Sequence, residues 1–360
     1  MLKENIIPLI CLGVGKVGRE LLKQILNDGE TIKQRTGFSL VPFVIADSNG
    51  ALVNPAGLTA QILQSVLDVS SKGKNLQLLK DHSSFPRIEE VFQPGMILID
   101  LTASSETGSI IREALDAGCG IVLANKIPLT RPWQQAGELF NNPNVRYECT
   151  VGAGLPLINT LDYLIDTGDQ IISIEGCFSG TLGYLCTELE QEVLFSKAVL
   201  TARDKGFAEP DPREDLSGKD VGRKALILAR TAGWSLTEED LQVNGLHPKE
   251  LADIPLDLFL SEIYSLDEEY KKRFESALAK NKTLRYTARL SPGGGEVGLV
   301  SVLRESSLGA LQGPANIISV QTRRYFDNPL IISGPGAGPA VTAAGVLGDV
   351  IKLAHMNQSG

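Results

Sequence analysis

The sequence predicts an α/β protein, a doubly wound parallel sheet followed by a second domain of α+β type. Three observations carry this. Short β-branched apolar runs ("IIPLICLG", "LVPFVIAD", "MILIDLT", "GIVLAN") alternate with helical patterns over about the first 150 residues, the order that covers a parallel sheet with helices. Gly13, Gly15 and Gly18 form a G-x-G-x-x-G run directly after the first of these runs and at the head of an amphipathic stretch. From Gln170 the pattern changes to period two, and "TLRYTARLS", "GEVGLVSVLR" and "ANIISVQTRR" read as antiparallel strands with one wet face.

Taken in order, "IIPLICLG" is the first strand. Pro8 cannot donate a ladder hydrogen bond, so that strand is expected to begin at or after it. Helices follow the first and third strands, and "LTAQILQSVLDV" reads as another, whereas "SSKGKNLQLLKDHSSFPR" carries only loop signals and leaves the geometry of residues 50–95 open. In the second domain, "QIISIEGCFSG" is a strand, with helices around Leu182–Leu189, Phe195–Lys205 and Lys219–Ala232. The tail "GPGAGPAVTAAGVLGDVIKLA" is a glycine-rich loop leading into a small-residue helix similar to those of the first domain. The expected division is residues 1–149, a dinucleotide-binding domain completed by 334–360, and 150–333 for substrate and subunit contact.

At 360 residues, 43% hydrophobic and 21% charged, the chain has the length and composition of two globular domains. A formal net charge of −9 argues against nucleic acid or an anionic membrane as partner, since both need a basic face. No apolar run approaches the roughly 20 residues of a membrane span, and no targeting segment is evident. Cys11, Cys119, Cys149, Cys177 and Cys186 are odd in number and lack CxxC spacing, which suits a reducing cytoplasm. His82, His247 and His355 are dispersed, with no cluster at zinc-ligand spacing.

Each glycine of the fingerprint has a mechanical reason: a tight turn, close approach of backbone to a pyrophosphate, and close packing of helix on strand. With Val14 and Val17 between them, these glycines are the candidate dinucleotide site of a Rossmann-type fold, the helix N-terminus attracting the phosphates. Asp47, at the end of the second strand, lies 29 residues beyond Gly18 where about 20 is usual. It is either a ribose ligand, which favours NAD over NADP, or a loop carboxylate, so the sequence leaves the cofactor as NADP or NAD.

Carboxyl ends of parallel strands are where open α/β sheets bind ligands. "IDLTASS" places Asp100, Thr102, Ser104 and Ser105 at one such end, and "VLANKIPLT" places Asn125 and Lys126 at the next. Lys126 there meets the nicotinamide region or a substrate carboxylate, unless it is a surface lysine before a proline turn. The stretch "EPDPREDLSGKDVGRK", Glu209 to Lys224, carries nine charged residues in sixteen. On a helix from Lys219, Lys224 falls about 60° from the Val221, Ala225, Leu228 stripe and Asp220 about 40° further round, while Arg223 and Arg230 face the opposite way, toward solvent. Asp220 and Lys224 form an i, i+4 pair in the favourable order. A partly shielded lysine tethered by a carboxylate has the ingredients of a general acid/base. Pro210 and Pro212 stiffen the segment bearing Glu209, Asp211 and Asp215, a turn suited to a substrate ammonium. A charged loop capped onto a helix would have the same composition.

"YECTVGAGLPLINTL", "IEGCFSGTLGYL", "KGFAEPDPREDLSGKDVGRKALILAR" and "GAGPAVTAAGVLGDVIK" closely resemble homoserine dehydrogenase, in order and spacing along nearly the whole chain. The likeness is greatest to the short, fungal-type members, with no room for a regulatory ACT domain or a fused aspartate kinase. The resemblance implies reversible, NAD(P)-dependent interconversion of L-aspartate 4-semialdehyde and L-homoserine in threonine and methionine biosynthesis. By that analogy Lys224 is the proton donor and acceptor, assisted by Asp220, with Lys126 as the rival. Glu209 and Asp215 engage the substrate's polar end, and Gly176 with the Ser179–Thr181 turn lines its pocket. Thr102, Lys126 and Gly338 lie beside the cofactor. A monovalent cation, usually sodium, is held by Glu148 and the carbonyls of Val151, Ala153 and Leu155.

The family also implies a homodimer, sought around "ANIISV" and "PLINTLDYLI". Gly222 departs from the family's more common alanine, at a propensity cost of about 1 kcal/mol. Two other readings remain. An aspartate-semialdehyde dehydrogenase needs a nucleophilic cysteine with a histidine base, and no such motif is present. A catalytically inactive NAD(P)-binding redox sensor would have no need of the Glu209, Asp220, Lys224 set.

Overall fold

The computed structural model describes residues 5–79 and 88–359; His82, and with it part of the 50–95 stretch, lies outside them. The chain forms two units, Met1–Pro156 with Gly338–Gly360, and Leu157–Ala337.

In the first unit, β1 (Ile6–Leu12), β2 (Ser39–Asp47), β3 (Gly50–Val53), β4 (Ile97–Asp100), β5 (Gly120–Leu123) and β6 (Val145–Arg146) form one sheet in the order β3-β2-β1-β4-β5-β6. The β2–β3 pair is an antiparallel hairpin and the other pairs are parallel. Chain order reverses between β1 and β4, so the loops leaving these two strands are the sheet's switch point. β4 and β5 are buried at every position, as strands covered on both faces must be.

The sheet is covered by α1 (Lys16–Thr36), α2 (Ala60–Ser71), α3 (Gly108–Asp116), the short α4 (Ile127–Thr130), α5 (Trp133–Asn141) and the C-terminal helix, Pro339–Ser359. α1 buries Gly18, Leu21, Leu22 and Ile25 along one stripe and ends at Gly37, whose φ of 81° only glycine adopts freely. Thr59 starts α2 by accepting from the Ile62 N–H. The C-terminal helix returns to this unit and sets Ala343, Val346, Val350 and Leu353 into the core that also holds Leu21, Ile97 and Val122.

β1 starts at Ile6, before Pro8, and not at or after it. The reason lies in the alternation of its backbone. The Asn5 carbonyl accepts from Ser39 on β2 and the Leu12 carbonyl from Leu101 beyond β4, so even-numbered residues, Pro8 among them, direct their backbone toward β4. Pairing with β4 begins only at Leu9, and the missing N–H breaks no ladder bond.

The second unit holds β7 (Ile171–Cys177), β8 (Leu241–Val243), β9 (Lys282–Ser291), β10 (Gly294–Leu303), β11 (Ala315–Thr322) and β12 (Leu330–Pro335), in the order β12-β11-β7-β9-β10-β8. Its helices are α6 (Leu157–Asp166), α7 (Gly180–Glu190), α8 (Phe195–Asp204), α9 (Arg213–Leu216), α10 (Lys219–Thr231), α11 (Leu256–Glu262) and α12 (Asp267–Leu278). All strand pairs are antiparallel except β10–β8.

Two expectations fail here. β9 has no wet face over Thr283–Ala288. Arg285, on the face that alternation assigns to water, is buried, pairing with Glu190 and donating to the carbonyls of Leu308, Gly309 and Leu311. A loop returning over the sheet therefore covers what the pattern left open. Arg230 is also buried, 3% exposed, with Nε on the Leu236 carbonyl. From Ala225 onward α10 is buried on all faces, so of the two arginines only Arg223, in its first half, reaches solvent. Among the described residues no helix is long and apolar enough to cross a membrane.

Gly222 packs against β8: a Cβ there would lie 3.0 Å from Val243 Cγ2. Gly222→Ala is therefore expected to gain less than the about 1 kcal/mol that helix propensity alone would add. Val243→Ala in the same chain should restore that gain, seen as non-additivity in a chemical-denaturation double-mutant cycle.

Candidate functional site

The three fingerprint glycines have three different reasons. Gly13 has a φ of 101°, and a Cβ there would lie 3.1 Å from the Leu101 carbonyl. A Cβ on Gly18 would lie 2.3 Å from the Gly13 carbonyl oxygen, so α1 packs on the loop only without a side chain. Gly15 caps α1, and a Cβ there would meet nothing within 4 Å. That open side at a helix N-terminus is where a pyrophosphate can approach the backbone.

Behind the loop, Asp100 is fully buried and is the hub of the β4 and β5 ends. Its Oδ1 accepts from the Thr102 N–H and hydroxyl (3.0 and 2.7 Å), and its Oδ2 from the Thr107 hydroxyl and Asn125 Nδ2 (2.7 and 3.0 Å). Asn125 in turn donates to the Ser104 carbonyl at 2.7 Å and accepts from Ile127 N–H at 3.0 Å. One buried carboxylate thus sets Thr102, Ser104 and the turn that starts α4, with half-buried Lys126 at its cap. Asp47, half-buried at the end of β2, accepts three backbone N–H bonds, from Asn49, Gly50 and Leu76.

The "TVGAGLP" turn follows a short 3-10 helix that begins at Glu148. Gly152 and Ala153 both have positive φ, 75° and 57°, two consecutive left-handed residues that reverse the chain. Glu148 is buried and its N–H donates to Asp349 Oδ2 at 2.8 Å. Asp349 is itself 1% exposed. Burial, and the charge of Glu148 beside it, push the Asp349 carboxyl up to about 7. Gly338, φ 124°, opens the C-terminal helix. Among the described residues no three His, Cys, Asp or Glu side chains group as a metal site.

In the second unit the charged stretch resolves into parts with different work. Asp211 is taken by Arg213, which also donates to the carbonyls of Ala252 and Ile254. That pair holds the turn and leaves Asp211 out of the cluster. Asp215, at α9, accepts the Glu209 N–H at 2.8 Å. Burial pushes its carboxyl above the usual range; the Glu209 and Thr181 hydrogen bonds oppose this, and Asp220 adds to it. Thr181, in the first turn of α7, donates to the Phe207 carbonyl at 2.6 Å.

Lys224 points Nζ at Asp220 Oδ2 and at the Phe178 carbonyl, each at 2.7 Å. Its side chain is 13% exposed while that of Asp220 is 51% exposed. Gly176 precedes that carbonyl by two residues, and its missing Cβ lets the Phe178 ring and Ile317 carbonyl close to 2.5 and 2.4 Å of the vacant position. The structure therefore brings Glu209, Asp215, Thr181, Asp220 and Lys224 together. It also adds the Phe178 carbonyl, which sequence reasoning missed because a backbone acceptor has no residue-type signal, and it makes Asp100, placed at the strand end by the sequence, a hydrogen-bond hub. All five cysteines are free and buried, and burial pushes Cys11 and Cys177 up to about 12, so none is a poised nucleophile.

The first unit is a Rossmann-type dinucleotide-binding fold with an open glycine loop, and the second presents a tethered lysine among carboxylates. Residues 13–147 match the NAD binding domain model of homoserine dehydrogenase, and 156–351 match the homoserine dehydrogenase model. The chain is 35% identical over 355 residues to the bifunctional aspartokinase/homoserine dehydrogenase of Haemophilus influenzae, covering 97% of this chain and 43% of that protein. It is 33% identical over 371 residues to the homoserine dehydrogenase of Saccharomyces cerevisiae, covering 98% of this chain and 99% of that one. A crystal structure of a Candida auris protein of unknown function superposes with a TM-score of 0.85 at 30% identity, over 98% of this chain and 99% of the other. The chain belongs to the homoserine dehydrogenase family, and spans less than half the length of the bifunctional relatives it matches.

The raised carboxyl of Asp215 makes a signed prediction. The folded state holds this proton more tightly than the unfolded chain, so the group's contribution to stability declines as pH rises from the ordinary carboxylate range through the raised value. Melting temperatures across that range should fall less steeply with pH in Asp215→Asn than in wild type. A parallel pair of curves would contradict the assignment.

Proposed function

We propose that this protein catalyses the reversible NAD(P)H-dependent reduction of L-aspartate 4-semialdehyde to L-homoserine. The observation that carries the reading is the Lys224 ammonium, largely shielded and held by Asp220 and the Phe178 carbonyl. A lysine ammonium has three N–H donors. Two are occupied here, which leaves one for a substrate oxygen.

A nicotinamide cofactor, when bound, would supply the hydride. As negative charge grows on the aldehyde oxygen, the third N–H of Lys224 stabilises it and then transfers its proton. In the oxidative direction the neutral amine takes the hydroxyl proton. Asp220 keeps the nitrogen in place through either half of the cycle. Lys126, capping α4 at the end of β5, is the second candidate for this role. Glu209 and Asp215 offer carboxylates to the substrate ammonium, with Thr181 and the Gly176 strand bordering them. On the cofactor, the glycine loop takes the pyrophosphate, and Thr102, Lys126 and Gly338 its nicotinamide end.

A monovalent cation at Glu148 and the carbonyls of Val151, Ala153 and Leu155 suits the chemistry of those groups. Two buried carboxylates, Glu148 and Asp349, adjoin a left-handed turn, and a hard cation takes oxygen ligands of this kind. It would neutralise charge that is costly to bury. We also place the protein in the cytoplasm, where buried thiols stay reduced, as a homodimer. The "ANIISV" residues Ile317, Ile318 and Val320 are buried within their own unit, whereas Tyr163 on α6 and Ile331 on the edge strand β12 are 64% and 44% exposed; the latter are the better interface candidates. A sensor that only bound the dinucleotide would need none of the Lys224 arrangement.

Assayed at 340 nm with homoserine and each nicotinamide cofactor, wild type should turn over. Lys224→Ala should lower kcat by roughly 10²–10⁴-fold while the Kd for reduced cofactor, read by fluorescence titration, stays close to normal. Substantial residual turnover would move the role to Lys126. Replacing sodium by tetramethylammonium at constant ionic strength should lower the melting temperature, and a Tm indifferent to that exchange would count against the cation.

A further inference from the structure

A closed circuit of hydrogen bonds surrounds the far side of the glycine loop. Gly13 N–H donates to the Ala46 carbonyl at 2.8 Å, tying the loop to the end of β2. The next residue on β2, Asp47, accepts the Leu76 N–H on Oδ2 at 2.9 Å, reaching the segment that follows α2. At the other end of that segment the Ser70 carbonyl accepts from Arg19 Nη1 at 3.3 Å, and the same nitrogen returns to the loop at the Val14 carbonyl, 3.2 Å away. The end of the first crossover, beside the second strand, is where this fold places the adenosine half of a dinucleotide.

The charges around this circuit decide which adenosine it suits. Selecting an unphosphorylated ribose calls for a carboxylate with free lone pairs facing the diol. Asp47 does not have them to spare: Oδ1 already accepts from Asn49 N–H at 2.7 Å and Gly50 N–H at 3.0 Å, and Oδ2 from Leu76. Of about four acceptor positions on a carboxylate one is left, too few for a bidentate grip. Three peptide donors also spread its charge, so it repels a phosphate less. Arg19 is the opposite case. Both N–H groups of Nη1 are on neutral carbonyls, and Nε and Nη2 make no hydrogen bond to the described residues. The half-buried guanidinium is thus a cation with three N–H groups in hand and no carboxylate partner among the described residues. Lys72 and Lys74 stand exposed on the same segment. An arginine fork matches a phosphate dianion in geometry and charge.

We infer that Arg19 is the ligand of the adenosine 2′-phosphate, that Asp47 shapes this pocket without binding the ribose, and that the chain takes NADP(H) in preference to NAD(H). This rests on the dehydrogenase reading for its cofactor class, and its test does not depend on turnover. The probes are 2′,5′-ADP and 5′-AMP, which share adenine, ribose and 5′-phosphate and differ only in the group in question. In calorimetric titrations wild type should bind 2′,5′-ADP about tenfold or more tightly than 5′-AMP, the range of one charge-assisted contact. Arg19→Gln should remove most of that ratio with little change for 5′-AMP, and Arg19→Lys should keep part of it. The ratio of the NADPH and NADH specificity constants should follow the same order. A wild-type ratio near one, or a ratio untouched by Arg19→Gln, would overturn the inference. So would equal weakening of both ligands, which marks Arg19 as a clasp between α2 and the loop. Failure of wild type to bind either ligand would overturn the dinucleotide reading itself, and this inference with it.

Discussion

One constraint organises the second unit: a primary amine held in a fixed place, shielded but not desolvated outright. Lys224 meets both conditions through two acceptors of different kind. Asp220, one helical turn back, supplies charge; the Phe178 carbonyl supplies a rigid neutral acceptor from the end of β7. A bare ammonium in a largely buried position would be costly, and a fully salt-bridged one would have no donor left over. The helix is placed to allow this. Its cap, Gly218, has a φ of 70°, and a side chain there would occupy the space of the Tyr286 hydroxyl, so α10 starts hard against β9.

The first unit solves a related problem with the opposite charge. Asp100 is wholly buried, yet its oxygens are met by donors from Thr102, Thr107 and Asn125. A carboxylate satisfied in this way is a rigid node, and it carries the ends of β4 and β5 with it. Asp47 works the same way at the end of β2. Carboxylates at strand ends are readily taken for ligand-binding groups, but here both organise their surroundings, whereas Arg19 in the first unit and Lys224 in the second keep donors that no described residue takes. Arg19 is held by two backbone carbonyls and Lys224 by one carbonyl and one carboxylate.

How much was legible in the sequence varies with the range of the interaction. The longer apolar strands, the glycine fingerprint and the Asp220–Lys224 pair are local patterns that the sequence shows, whereas the short strands β3, β6 and β8 and the edge strand β12 were not read from it. Pro8 was misjudged because its consequence depends on where β4 begins, almost ninety residues away. Arg230 and Arg285 were misjudged because alternation describes one element at a time. It cannot report that the second half of α10 passes into the interior, or that a loop near Leu308 folds over β9. Gly222 looked like a departure at some cost, whereas an alanine there would crowd Val243 across the fold.

The sequence by itself determined the fold class, the family, the glycine loop and the lysine with its helical partner, because each is written in residues a few positions apart or in strings long enough to be diagnostic. Only the tertiary structure decided which charges are free to act. Whether a carboxylate serves ligand or backbone depends on which N–H groups arrive from distant segments: Leu76 at Asp47, Asn125 at Asp100. Hydrogen bonds are short-ranged and directional, so the choice is made by a few tenths of a nanometre of packing that no spacing along the chain encodes.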